Sequence, residues 1–427
     1  MLLLLVCACQ KEEPSITLSE TEIDAVYTAG EVSITIEPNV SWTAEVHYND
    51  WREEKWIELP VTSGLEGPQR FVIRLPENPT RIREAKVYFH LAGTQELTIL
   101  LVKQIGKLDR DMTDQLDIYT AAAMMLAHPP LGYISYEDIV KCKSLTYENI
   151  NESMDCWGLA LLENLVSIGV RNSNIPSLGF KAAPWLKNLS IKDSTLGDVD
   201  ISGNPELENL HFKEVSLRSL EATHNPRLSS IEFEYSDMTP DLESVVLGPG
   251  VKGFGIMNAK SLEILDCSDA TSLAYLSFPN CSVRRLDLSR TQVGHLEIRQ
   301  NPIDELLLPD GLETLSFNMC SGAISYLKIG SRTRTVTVSG LTLEELDLDE
   351  AVNLSSLYCC NNMLKGLDIS HIQMPSYFLF GGNPGVDGVF EIKVSSSDFE
   401  TARTLYEGLQ WDMEDYGIIV THIVSGE

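Results

Sequence analysis

Basic residues are scarce in this sequence of 427 residues: 32 Lys and Arg stand against 62 Asp and Glu, a formal net charge of -30. That surplus opposes contact with phosphate backbones and anionic lipid headgroups, so nucleic acid is not an expected partner. The 8 histidines are scattered, and HExxH, GxSxG, P-loop and paired CxxC motifs are all missing. Zinc-protease, serine-hydrolase, phosphate-binding and dithiol chemistry therefore have no sequence support, and the chain is expected to be no enzyme and to need no cofactor or metal. Gly248, Gly250 and Gly253 do satisfy GxGxxG, but Phe254 and Ile256 follow where a helix should start, which reads as loop glycine. No apolar run is long enough to span a bilayer, Met1 to Ala8 included. Hydrophobic content of 43% is ordinary for globular proteins and argues against disorder, while the length calls for more than one domain.

What the sequence does have is a recurring phrase. From Leu343 the chain reads Leu343, Leu346, Leu348, then Leu354, Leu357, Cys359, then Leu364, Leu367, Ile369. The same LxxLxL spacing can be traced back through Leu312, Leu273, Leu228 and Leu186 to Leu165. Three apolar side chains on a short extended segment can be buried only against the same positions of a neighbouring coil, so the pattern predicts a solenoid. Two phrases make a coil of about 21 residues. The eighth position of many phrases carries a small polar residue suited to satisfying backbone groups where a strand ends: Asn204, Asn225, Asn301 and Asn362, with Cys281 and Cys320 substituting. Together these residues resemble the leucine-rich repeat proteins of Bacteroidota over about Leu165 to Ile369. The resemblance implies a repeat domain that binds protein. Spacing stretches between Tyr235 and Ser261, where an irregular coil or protruding loop is expected.

The N-terminal run ends in Val6, Cys7, Ala8 and Cys9, followed by Gln10, Lys11, Glu12 and Glu13. It resembles the end of a bacterial lipoprotein signal, with Cys9 acylated and the charged residues directing export to the outer face of the outer membrane. A basic n-region is missing, so the written start is expected to lie inside a longer leader.

Ser15 to Lys107 alternates in the manner of short strands, at Val32, Ile34, Ile36; Phe71, Ile73, Leu75; Val87, Phe89, Leu91; and Leu97, Ile99, Leu101. A β-sandwich is expected. Ser41, Trp42, Trp56, Ile57, Ser63, Gly64, Asn78, Arg83, Ala85 and the closing Val102 to Gly106 resemble the BACON domain, an immunoglobulin-like module of Bacteroidota surface proteins, which implies a glycan context. Trp42 and Trp56 read as core. Tyr48 and Trp51 lie in a polar stretch, where an aromatic either stacks on a sugar ring or covers loop backbone.

The full expectation is thus a mainly β chain: a lipoprotein signal at 1–9, an immunoglobulin-like sandwich at 15–107, a helical N-terminal cap at 108–160, leucine-rich repeats at 161–372 and a C-terminal cap at 373–427. In the last, Ser397 with Glu400 suggests a capping box and Ile418 to Ile423 a final strand. Seven cysteines remain after Cys7 and Cys9; Cys267, Cys281, Cys320 and Cys359 read as buried thiols, and a Cys142 to Cys156 bridge is left open.

Two rows of outward residues carry the functional expectations. One is acidic, with Asp200, Glu221, Asp266, Asp287, Asp347 and Asp368 stacked about 5 Å apart. These carboxylates either meet a cation or basic surface or hydrogen-bond the backbone of their own turns. The other row is mixed, running through His211 and Tyr358, with Tyr275, His295 and Tyr326 nearby, and offers the polar and aromatic variety that repeat proteins use to grip partners. A monomeric, surface-anchored binding lipoprotein that engages a protein or glycoconjugate follows; the alternative is a glycan-binding accessory of a polysaccharide uptake system.

Overall fold

The computed structural model describes residues 13–48, 55–127, 129–235 and 241–426. Cys9 and Trp51 lie outside the described residues. The chain forms two compact units, residues 1–115 with 127–141, and residues 116–126 with 142–427.

In the first unit two sheets share one core. One holds the strands Ile16–Leu18, Gly30–Pro38 and Gln69–Leu75; the other holds Glu22–Ala25, Leu97–Gln104, Arg83–Leu91, Trp42–Tyr48 and Ser63–Gly64. Alternating residues of each sheet point inward, and Trp42, Phe71 and Phe89 meet edge to face with centroids 4.9 to 5.8 Å apart. Trp42 and Trp56 are buried, as expected. The phase expected at Leu97, Ile99 and Leu101 is inverted. Leu100 and Val102 are fully buried, while Leu97 and Ile99 are exposed. Both phases of this segment are apolar, so alternation alone cannot choose; pairing of Leu100 with Val87 and Val102 with Ala85 turns the second set inward.

The second unit is a β-solenoid. Its main sheet is wholly parallel and runs over twelve successive strands, from Ser144–Glu148 to Tyr377–Leu379, with one further strand, Asn174–Gly179, at its side. Leu189, Leu210, Ile231, Phe254, Leu276, Leu296, Leu315, Val336, Leu357 and Phe378 stand in register on adjacent strands and are buried. The longest step, Ile231 to Phe254, spans 23 residues and the shortest, Leu296 to Leu315, spans 19. The alternate phrases form shorter strands on the opposite side, in sheets broken after Asp266, Leu307 and Asp347. Aromatic side chains thicken the core between the two sides, Phe212, Phe254, Phe278, Phe317 and Phe390 among them.

Among the described residues, the coils leave the long sheet through a left-handed corner residue at ten successive or near-successive strands. Asn172, Asp193, Glu214, Asn258, Asn280, Gln300, Met319, Gly340, Asn361 and Gly382 fall at this same corner, with φ between 47° and 73°. The next position is the buried eighth one. There the Asn301 amide donates to Phe278 O at 2.8 Å, Asn362 to Val338 O at 2.8 Å and Asn383 to Cys359 O at 2.8 Å, so the expected asparagine column is built, one member longer than anticipated. Asn204 and Asn225 do the same at the end of the short strands, Asn204 reaching Phe180 O and Ala183 O.

The helical cap expected at 108–160 is much reduced, and its parts are divided. Helix α1 (Ile118–Met125) belongs to the solenoid unit and α2 (Tyr136–Lys141) to the sandwich unit, while Ser144–Glu148 is already the first strand of the long sheet. The apolar stretch at Ala121 to Leu126 supports only two helical turns before Pro129. Asp117 caps α1, its Oδ1 accepting from Thr120 N at 2.8 Å, and its Oδ2 accepts from Gly158 N at 2.8 Å. At the other end the repeats pass the expected boundary at 372: Tyr377–Leu379 extends the long sheet and Val389–Val394 the opposite side. Helix α3 (Phe399–Tyr406) then covers the last coil, Tyr406 packing on Phe378 and Phe380. Its N-cap is Asp398, whose N–H and carboxylate pair with Ser395 Oγ, in place of the expected Ser397 and Glu400 box. The final strand, Gly417–Ser425, is present.

Gly248 and Gly250 are packed rather than looped out. A Cβ on Gly248 would lie 2.1 Å from Ala222 O, and one on Gly250 2.3 Å from Pro226 O, so the coil can close on its neighbour only with glycine there.

Candidate functional site

Two outward rows of the long sheet carry its candidate binding surface. In the order of its strands, the first row includes Asn188, Asn209, Ser230, Gly253, Tyr275, His295, Thr314 and Thr335. Beside it run Ser190, His211, Glu232, Gly255, Ser277, Glu297, Ser316, Thr337 and Tyr358. Short hydroxyl and amide side chains dominate both. Asn209 donates to Asn188 Oδ1 at 2.8 Å and Asn188 to Ser167 Oγ at 3.1 Å, a small polar ladder lying flat on the strands.

Parallel register makes neighbours of Tyr275 and His295. Their rings stack at 5.4 Å with an interplanar angle of 8°. The next strand on the other side of Tyr275 carries Gly253 and Gly255, which have no side chains to present. A Cβ on Gly255 would meet nothing closer than ordinary van der Waals contact, with Ser277 O at 3.8 Å and the edge of the Tyr275 ring at 4.0 Å, so an atom above this strand can rest against Tyr275 without a clash. Beyond it stand Ser230 and Glu232, joined by a hydrogen bond of 3.1 Å. The result is a slot with a glycine floor, a tyrosine wall and a serine–carboxylate wall. Across two strand spacings it measures about 9.5 Å between backbones. Ser277 Oγ donates to Glu297 Oε2 at 2.7 Å at its edge.

Charge is unevenly divided between the two sides. On the long sheet six acidic residues, Glu148, Asp193, Glu214, Glu232, Glu234 and Glu297, stand against Arg171, Lys192, Lys213 and Arg299. On the short-strand side ten acidic residues, from Asp198 and Asp200 through Glu221, Asp266, Asp287, Glu305, Glu345, Asp347 and Asp368 to Glu391, face only Arg285, Lys328 and Lys393. Most of the excess negative charge of the solenoid strands is therefore carried by the short-strand side.

The acidic row is largely occupied by its own turns. Asp200, Asp266, Asp287, Asp347 and Asp368 each accept, through Oδ1, from the backbone N–H two residues on, at 2.9 to 3.0 Å. Glu221 accepts from Thr223 Oγ1 at 2.8 Å. A depression of about 850 Å³ lies on this side, lined by Ile264, Asp266, Arg285, Asp287 and Leu307, and two of its carboxylates are these turn acceptors. The Lys181 ammonium and the Ser202 hydroxyl hold the Asp200 carboxyl down at about 2, from an ordinary 3.8. A depressed folded-state value contributes stability above the unfolded value and loses it as pH falls toward the folded one. The destabilisation caused by Asp200→Asn, read as a difference in urea midpoint, is therefore expected at neutral pH and should shrink as pH falls from about 4 toward about 2.

The remaining expected residues fall as follows. His211 lies on the long sheet with Nε2 3.3 Å from Glu234 Oε1, and Tyr358 is half-buried beside Thr337. Tyr326 does not join them. Consecutive phrases alternate between sides, so Tyr326 sits on the short-strand side, its hydroxyl donating to Asp347 Oδ2 at 2.7 Å. Tyr48 is used internally: it packs edge-on against Trp56, and its hydroxyl accepts from Ile57 N at 2.9 Å. Tyr377, two-thirds exposed at the end of the first row, lies past the repeat boundary expected at 372, so the repeat spacing does not mark it.

Cys142 and Cys156 are both reduced, the Cys142 thiol donating to Ser144 O at 3.5 Å, so the bridge left open is not formed. Burial pushes Cys156 and Cys267 up to about 12 and Cys281 and Cys320 up to about 11, values at which a thiol is no nucleophile at neutral pH. Among the described residues no helix is long and apolar enough to cross a membrane.

No family model matches the sequence, and no curated protein does. Among solved structures the chain is similar to the functional domain of InlJ from Listeria monocytogenes, which includes a cysteine ladder, at 17% identity and a TM-score of 0.34, covering 66% of this chain and 75% of that one. It is also similar to WR4, a member of the MSP family of C. elegans, at 12% identity and a TM-score of 0.17, covering 21% and 96%. A third similarity is to a Bacteroides ovatus GH5 xyloglucanase in complex with a XXXG heptasaccharide, at 13% identity and a TM-score of 0.20, covering 44% and 57%.

Proposed function

We propose that this is a non-enzymatic binding lipoprotein, held through acylated Cys9 at the outer face of an outer membrane. The sandwich, read as a BACON-type module, is the spacer, and the outward face of the long sheet engages a protein or glycoconjugate partner. One observation carries the reading: twelve parallel strands hold an unbroken outward surface of short polar side chains, in which Tyr275 and His295 are stacked beside an open slot. The opposite side is divided into short sheets, and six of its ten carboxylates are engaged by their own turns. Repeat solenoids use their extended faces to bind in this way.

Two measurements test the proposal. Metabolic labelling with a radioactive fatty acid should mark the wild-type protein and fail with Cys9→Ala. In a solid-phase assay against immobilised extracellular-matrix proteins and mucin, Ser316→Arg on the long sheet should abolish binding, and Asp287→Arg on the other side should leave it intact. Loss with Asp287→Arg alone would move the binding face to the short strands.

A further inference from the structure

Resting on that reading of the long sheet, we infer that the ligand is a neutral glycan, one pyranose ring of which is laid against Tyr275 in the slot above Gly253 and Gly255. Three independent features of the surface point to this chemistry. The first is shape. His295 covers the far side of Tyr275, and the other side borders a strand from which side chains are missing, so one six-membered ring has room there and nothing larger than a ring edge is needed to fill it. The C–H face of a sugar ring is apolar and fits an aromatic wall, as other flat apolar groups do.

Hydrogen-bonding capacity is the second feature. Sugar hydroxyls both donate and accept, and the rims supply each kind of partner: Glu232 and Glu297 accept, while Ser230, Asn209 and Thr314 do both. The serine–carboxylate pairs at 3.1 Å and 2.7 Å hold the two acceptors in place before a ligand arrives, which limits the ordering cost of binding.

Charge is the third. A basic protein or peptide would be drawn to the short-strand side, where acidic residues far outnumber basic ones, and an anionic polysaccharide would be repelled by a chain of net charge -30. The long sheet, whose acidic excess is much smaller than that of the short-strand side, discriminates against both and suits an uncharged polyhydroxylated chain. Such a chain would run across the strands, over the flat rows of Thr314, Thr335 and Ser356 on one side of Tyr275 and Ser230 and Asn209 on the other.

Affinity electrophoresis of the full chain through native gels containing soluble β-glucan, mannan, galactan or xylan, with polygalacturonate and hyaluronan as charged controls, tests this directly. At least one neutral polymer should retard the wild-type protein and the charged ones should not. Tyr275→Ala should weaken retardation by about tenfold or more, equivalent to the loss of one stacked ring, and Tyr275→Phe should keep most of it. Gly255→Leu should also weaken it by filling the slot, and a Cβ there meets only ordinary contacts, so the protein should fold, which equal melting temperatures would verify. No retardation by any neutral polymer, or retardation indifferent to both Tyr275→Ala and Gly255→Leu, overturns the inference. Matrix-protein binding that Ser316→Arg abolishes and Tyr275→Ala leaves intact would do the same while sparing the proposed binding face.

Discussion

Replacing Asn362 by alanine is expected to destabilise the C-terminal half of the solenoid by about 3 kcal/mol, more than most polar-to-alanine changes would cost. The side chain is almost wholly buried. Its amide donates to Val338 O at 2.8 Å, and its Oδ1 accepts from Leu341 N at 3.0 Å, so truncation strands a carbonyl and an N–H of the preceding coil where water cannot reach. Each such group costs about 1–3 kcal/mol when left unpaired. Urea unfolding would register the loss, and amide hydrogen exchange at Leu341 would locate it. Asn353→Ala supplies the control. Its amide also crosses to a neighbouring coil, donating to Ser331 O at 2.8 Å, but in the open, where water replaces it and the change should stay within about 0.5 kcal/mol. Equal effects of the two substitutions would show that burial is not what gives the asparagine column its weight.

A comparable loss, about 2–4 kcal/mol, is expected of Asp117→Ala at the other end. One oxygen of this buried carboxylate caps α1 and the second holds Gly158 N, so the helix and the Trp157–Leu161 turn are tied by a single side chain. Glycine at 158 is part of the arrangement, since a Cβ there would lie 2.7 Å from Asp117 Oδ2. Asp117→Asn should recover only part of the loss, because an amide offers one acceptor where two are used. Protease sensitivity near α1 that increases in both variants, with the far coils unaffected, would mark the damage as local, as stacked repeats require.

Much of the solenoid was legible because its rule is local. An inward leucine at every third and fifth position, followed by a small polar residue at the eighth, specifies a coil without reference to anything distant, and Asn204, Asn225, Asn301 and Asn362 all fall where that rule puts them. What could not be read depends on pairing between coils. Which phrases make the long sheet is decided by hydrogen bonds to neighbours, and Tyr326 was assigned to the wrong row for that reason. The inverted phase at Leu100 and Val102 has the same origin in the sandwich. The left-handed corner is visible as Asn172, Asn258, Asn280 and Asn361, but Glu214, Gln300 and Met319 hold it without any sequence mark, at a cost of about 1–2 kcal/mol each that the stack must absorb. Close approaches are equally silent: a Cβ on Gly322 would lie 1.7 Å from Ile303 O, though nothing around Gly322 announces it. For the site, Tyr275 and His295 were identifiable as types. Their stacking, and the glycine slot beside them, exist only in the register of four strands.

The buried asparagines also give the solenoid a direction in time. Asn204 and Asn225 bond to carbonyls of the coil before their own, and Asn301, Asn362 and Asn383 bond to both carbonyls and N–H groups that precede them by a full turn. A coil emerging first from a ribosome or an export channel is left with open backbone groups until its successor arrives to close them. Assembly by this route is a ratchet that advances one coil at a time from the N-terminal end, each step locked by the next.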